Sequence, residues 1–286
     1  MDCQRTASEL AKALTHFFTW LTVVIAIALA MVHAALAEAP SQKTTDAVLQ
    51  ARLYQVKFRS GDLTVIPAYV AMLEDATKTD PESADLWYAM GVAYLAQGAR
   101  AMMPGGNPPD AMSALQKGPA ALRRALQINP DHAEALAQQG AIQAMMATFM
   151  QAPAMAAKGV AAMNHATELA PSSTRVRLLR AFTGLNLPDT LRNHAAEAED
   201  LDFLIQAADG SRPGDYVRIM RGDLYFETGK PDLAREDYKV VERSSSPAAA
   251  DAKARLSALD RGGVEMSDIK ALRQKAGAQC TMCHSR

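Results

Sequence analysis

One pattern recurs along this chain and dictates what it can fold into. In its clearest copy Arg218-x-x-Arg221-Gly222-x-x-Tyr225 is followed by Ala234, Tyr238 and Val241, with Pro247 closing the unit. Gly222 has no Cβ and lets a second helix come close, Tyr225 fills the gap beside it, and Ala234 accepts the crossing helix. Gly229-Lys230-Pro231-Asp232 reads as the turn between them, glycine ending one helix and proline opening the next. The same logic runs through Trp87, Met90, Gly91 and Tyr94, paired with Gly118, Leu122, Ala125 and Pro130. Leu136, Gln139 and Gly140 pair with Gly159, Met163, Ala166 and Pro171, and an earlier second helix shows Tyr69, Leu73, Ala76 and Pro81. A degenerate copy uses Leu201, Ile205, Ala208 and Pro213 without a glycine at the crossing. Aromatics are only 6% of the chain and alanine is frequent, which favours close-packed helices over sheets.

A helix-turn-helix unit near a period of about 34 residues resembles the tetratricopeptide repeat (TPR) family at the positions that define it. The resemblance covers Asp46 to Leu259, roughly five pairs of helices. It implies an all-α, TPR-like helical-hairpin solenoid: a right-handed superhelix with a concave face that binds a protein partner. Two copies carry extra residues between their helices, Arg100 to Lys117 and Thr148 to Lys158. Met102-Met103-Pro104-Gly105-Gly106-Asn107-Pro108-Pro109 breaks regular helix, and Gly118-Pro119 breaks it again after a short helix from Asp110 to Gln116. These stretches read as surface loops or as a lip on the groove.

The only explicit chemistry lies in Cys280-Thr281-Met282-Cys283-His284. Cys-x-x-Cys-His is the spacing of c-type haem attachment: two thiols for the vinyl groups and an adjacent histidine for the iron. The chain has three cysteines and six histidines, so a chance assembly is improbable. The plainer readings are a disulfide or a zinc-binding thiol pair. A thiol-disulfide enzyme fits less well, because such a pair ordinarily opens a helix after a strand. The stretch from Ser267 through a helix at Asp268–Ala276 and Gly277 to the motif looks like the start of a small class I cytochrome c. Only Ser285 and Arg286 follow, so an ordinary self-contained carrier with a downstream methionine ligand is not expected.

The opposite end reads as an export signal. Arg5 and Lys12 precede an apolar run from Phe17 to Val32, and Ala35-Leu36-Ala37 offers a cleavage site. The expected organisation is a signal peptide over 1–37, a linker over 38–45, the solenoid over 46–259 and a haem-bearing tail over 260–286. Cleavage removes Cys3, His16 and His33, leaving Cys280 and Cys283 in a periplasmic protein. A retained N-terminal anchor is the alternative. Export and haem c support each other, since such haem is attached outside the cytoplasm.

Other candidates have plainer readings. His132, in the turn Pro130-Asp131-His132, reads as solvated; His165 and His194 read as structural. Met145, Met146 and Met150 repeat at one-turn spacing and suit Cu(I), but methionine is also ordinary core or groove lining. Glu197, Glu199, Asp200 and Asp202, against Arg175, Arg177 and Arg180, read as solvated helix faces. Formal net charge is −1, so no basic field points to nucleic acid. No phosphate loop, nucleophile elbow or zinc-protease helix is present in the sequence, and no enzyme is expected.

Two function classes follow. One is an exported protein with one covalent haem c on its tail, acting in one-electron transfer or a redox complex. There Cys280 and Cys283 are the thioether anchors, His284 is the proximal ligand, and the groove holds a redox or cytochrome-assembly partner. The other is a haem-free or haem-handling scaffold, similar to periplasmic TPR proteins that help assemble c-type cytochromes. The repeat-packing residues in either case are Trp87, Gly91, Tyr94, Gly140, Gly222, Tyr225, Ala234 and Tyr238.

Overall fold

The computed structural model describes residues 46–50, 63–102, 107–208, 212–261, 263, 265 and 267–272, all within the unit Asp46–Arg286. The signal, the linker, Met103 to Gly106 and the Cys280–His284 motif lie outside the described residues. Among the described residues the secondary structure is helical, with no strand. The helices are α1 (Ile66–Thr79), α2 (Ala84–Ala101), α3 (Pro108–Ile128), α4 (Ala133–Met150) and α5 (Pro153–Leu169). They continue as α6 (Thr174–Gly184), α7 (His194–Ala208), α8 (Arg212–Glu227), α9 (Pro231–Glu242) and α10 (Ala248–Arg261). Residues 267–272 form the last helical turn. The helices pack as the pairs α2/α3, α4/α5, α6/α7 and α8/α9, α10 packs on α9 as closely as α7 does on α6, and each first helix of a pair also packs against a preceding helix.

A common turn sets the repeat. Pro81, Pro130 and Pro171 each follow the end of a second helix, and the residue two places on caps the next helix. Ser83 Oγ accepts from the Leu86 amide, Ser173 Oγ from Val176, and His132 Nδ1 from Ala135 at 3.3 Å. His132 is therefore a packed N-cap, not the solvated turn residue that its neighbours suggest; only a tenth of its side chain is exposed. Six residues after Pro81, the Trp87 indole N–H donates to the Pro81 carbonyl at 2.8 Å. Six residues after Pro171, Arg177 Nε donates to the Pro171 carbonyl at 2.6 Å. Ten residues after each proline come Gly91, Gly140 and Ala181, the crossing points.

At those crossings the helices nearly touch. A Cβ on Gly91 would lie 2.8 Å from the Leu122 side chain, and one on Gly140 2.6 Å from the Gly159 carbonyl oxygen. One on Gly222 would strike the ring of Tyr238, which is fully buried beside Ala234. Tyr225 is partly buried against the same cluster, its ring 5.5 Å below the Arg221 guanidinium. Gly229 has φ +74°, so the turn before α9 needs its left-handed backbone.

A ranking follows. A Cβ on Gly159 meets the Gly140 carbonyl and the Ala144 amide, both backbone, whereas a Cβ on Gly91 meets a movable leucine. Gly159→Ala should cost about 1–3 kcal/mol by overpacking, and Gly91→Ala less. Urea unfolding midpoints with unchanged slopes check the order; equal midpoints would contradict it.

The extra residues do not form a lip of loops between 107 and 117 or between 148 and 158. They lengthen both hairpins instead: α3 runs unbroken from Pro108 through Gly118 and Pro119, and α4 and α5 are separated only by Gln151 and Ala152. Gly118 survives inside α3 because it faces Gly91 across the crossing. Ser267 lies within the last helical turn, where Asp268 Oδ2 rather than Ser267 accepts from the Glu265 amide.

Candidate functional site

Two surfaces of the solenoid carry features beyond packing. The first is a strip along the N-terminal ends of first helices. Tyr88 on α2 stacks at 5.0 Å against His132, whose Nε2 lies 3.1 Å from Asp85. Arg175 at the start of α6 reaches back to place its guanidinium 5.5 Å from the Tyr88 ring. Leu178 and Phe182, one turn apart on α6, continue outward at 42% and 47% exposure. Three first helices are thus tied together, with Leu178 and Phe182 exposed beside Arg175.

The second surface is the end of the lengthened hairpins. Met102 on leaving α2, Met112 and Leu115 on α3, and Met145, Met146 and Met150 on α4 are all exposed. Met90 and Met163, by contrast, are core residues. The exposed set is neither core nor a lining between paired helices.

Behind these surfaces lie buried charges. Asp200 is fully buried, with Arg177 Nη1 at 2.8 Å and Arg180 Nε at 2.7 Å. The bond to Asp200 holds the Arg180 pKa above its usual value. Arg192, almost sealed, pairs with Glu197 at 2.6 Å and Glu227 at 2.7 Å. Burial pulls its pKa down, and the two carboxylates more than offset that. Arg221 donates to both Asp237 oxygens and to Asp202. Arg255 and Asp223 form a sealed pair, joined by the Tyr238 hydroxyl donating to Asp223 Oδ1 at 2.8 Å. The solvated-face reading thus fails for Glu197, Asp200 and Arg177, which are buried and paired, and holds only for Glu199 and Asp202 among the carboxylates.

Tyr94 Oη donates to Glu74 Oε1 at 2.9 Å, coupling α2 to α1. Burial first, then that bond and the Glu74 charge, push its pKa up to about 12. The folded value exceeds the unfolded one of about 10. Its contribution to stability is therefore complete below pH about 10 and is lost as pH climbs through about 12. Ultraviolet titration should show a component near pH 12 that Tyr94→Phe removes; its persistence in the variant would contradict the assignment.

His165 is half exposed between Asp131 and Glu168, and His194 opens α7. Among the described residues no group of three or more His, Cys, Asp or Glu side chains is placed to hold a metal ion. Nor is any helix among them long and apolar enough to cross a membrane.

No family model and no curated protein sequence matches the chain. Solved structures do. The crystal structure of a thermophilic TPR protein in Thermus thermophilus matches at TM-score 0.50 and 12% identity, over 75% of this chain and 97% of that one. The fold is TPR-like. A tetratricopeptide repeat protein from Parabacteroides merdae matches at TM-score 0.35 and 19% identity, over 85% of this chain and 100% of that one. In this TPR-like solenoid the first helices begin at Ala84, Ala133, Thr174, Arg212 and Ala248, so the step shortens along the chain as the hairpins lose their extra turns.

Proposed function

We propose that this is an exported, periplasmic TPR-like protein that carries one covalent haem c on its C-terminal tail and serves one-electron transfer within a redox complex. The observation that supports it is Cys280-Thr281-Met282-Cys283-His284 on a chain whose start has the pattern of an export signal. The donor set fits the group: two thiols at the spacing of the two vinyl groups and an imidazole beside them. Cys280 and Cys283 would hold the haem through thioethers, each S–H adding across one vinyl double bond with sulfur on one carbon and hydrogen on the other, and His284 would supply a neutral imidazole nitrogen for the iron. Bound haem supplies reversible one-electron exchange.

The solenoid's part is to choose the partner. The strip of Arg175, Leu178 and Phe182, backed by Tyr88 and His132, suits a protein segment with apolar side chains and a carboxylate for Arg175. A haem stain of the denatured, matured protein tests the reading. A band that survives denaturation is expected; its absence beside a stained control cytochrome leaves the haem-free scaffold.

A further inference from the structure

We propose that the projecting end of the α4/α5 hairpin and the adjoining first turns of α3 form a membrane-docking surface, whose exposed methionines enter the headgroup layer of a bilayer containing anionic lipid. The inference goes beyond the haem reading and does not depend on it.

The lengthened hairpins set the geometry. α2 runs on from Gly91 to Ala101 and α4 from Gly140 to Met150, ten residues past their crossings. α6 stops at Gly184, three residues past Ala181, and α8 at Glu227, five past Gly222. At 1.5 Å per residue, the first two hairpins therefore run roughly 8–10 Å farther past their crossings than the next two. α3 and α4 are joined by the short turn at 129–132 and pack against each other. Leu115 lies thirteen residues before Ile128, and Met146 thirteen after Ala133. Both stand about 20 Å from that turn. Met112 and Met150 stand about one helical turn farther out. The exposed side chains of α3 and α4 thus lie at one height, on the end that projects.

The chemistry of that end fits a lipid interface. Met112, Met146 and Met150 are 61%, 49% and 64% exposed, with Leu115 and Met145 exposed beside them. Contiguous exposed apolar side chains mark a surface that something covers. From Ala135 to Ala157 no side chain is charged, so burying this hairpin end strands no ion. Charge returns at its edge: Arg100 closes α2, and Lys117 and Lys158 lie inward of the methionines. All three are exposed and make no ion pair among the described residues; Lys117 rests 5.3 Å over the Tyr94 ring. Asp110, the carboxylate at the start of α3, is held by the Asn107 amide at 3.0 Å. Interfacial surfaces bury apolar side chains about 5–10 Å deep while cations meet the lipid phosphates. The extra length of the hairpins matches that depth, and the unpaired cations supply the charge. A second copy seated on this face would set those cations against their own kind. The surface rests on the bilayer, since no described helix is long and apolar enough to span one.

The test uses the full chain with vesicles of phosphatidylcholine containing phosphatidylglycerol, against phosphatidylcholine alone. Peroxide oxidation, read methionine by methionine by mass spectrometry, should slow about tenfold at Met112, Met146 and Met150 on the anionic vesicles. The core residues Met90 and Met163 should keep their rates. This readout is local to each side chain, so it stands whether or not the N-terminal apolar run is cleaved. Met146→Gln with Met150→Gln should return Met112 to its lipid-free rate, with helicity retained. Arg100→Gln, Lys117→Gln and Lys158→Gln together should remove the dependence on phosphatidylglycerol and on salt. Leu233→Gln with Val240→Gln, exposed apolar positions on α9, should leave the protection unchanged. Oxidation rates that ignore the vesicles overturn the proposal. So does protection lost with Leu233 and Val240, or protection that rises with protein concentration without lipid, which assigns the face to a second copy. Cys280→Ala/Cys283→Ala should keep the protection, so this proposal and the haem reading fail separately.

Discussion

Replacing Asp223 with alanine lowers the stability of the C-terminal helices by about 3–5 kcal/mol, the cost of stranding a buried charge. Arg255 Nε and Nη2 donate to the two Asp223 oxygens at 2.6 and 3.1 Å, and both side chains are 1% exposed. Burial opposes the charge on Arg255, and Asp223 more than compensates, holding the guanidinium's pKa above its usual value. Without Asp223 the guanidinium keeps, among the described residues, a 3.3 Å bond to the Asp251 carbonyl, and Tyr238 loses its bond to Asp223. The pair joins α8 to α10, and Tyr238 joins both to α9, so one carboxylate ties together three helices. Repeat stability is approximately a sum over neighbours. Hydrogen exchange should therefore speed in α8 to α10 while α2 to α5 keep their protection. Unchanged exchange in α8 to α10, or an equal loss everywhere, would show that the pair does not organise this end.

On the proposed haem attachment, Cys280→Ala with Cys283→Ala should remove all covalent haem and leave the helical content intact. The two thiols make the only bonds that hold a c-type haem through denaturation, so the expected change is complete rather than graded. The solenoid's cores are closed by Leu73, Leu122, Met163, Leu201 and Tyr238, all within the described helices and none within the tail. His284→Ala leaves the thiols in place and changes the iron's ligation, so its spectrum should shift while attachment is reduced less than in the double variant. Intact mass after denaturation and far-ultraviolet circular dichroism read the two quantities separately. Retained haem mass without the thiols would contradict the motif's role.

How much of this was legible in the sequence follows from what each residue must satisfy. Glycines at crossings and prolines after second helices answer to backbone geometry, and they showed the hairpins plainly. Residue type alone does not show the buried charges, because burial depends on register. Arg177 occupies the place, six residues after its proline, that Trp87 holds after Pro81, and Arg180 the place that Met90 holds. Ala181 stands where Gly91 and Gly140 stand, so the register was weakest where it was needed. Arg255 could have been found: it falls on the stripe of Ala248, Ala252 and Leu256, a position that points inward. The extra residues misled for a different reason. Gly118-Pro119 is a helix breaker locally, but Gly118 is required by the close approach to Gly91, and α3 continues through it. The polar neighbours of His132 suggest a solvated turn, although its place two residues after proline is that of the capping Ser83 and Ser173.

The measurement that bears most directly on this account is the pyridine haemochrome spectrum of the full chain, expressed with a cytochrome c maturation system and exported. Cys280, Cys283 and His284 predict a c-type signal at one haem per chain. A matured control cytochrome with haem beside a colourless solenoid would contradict it.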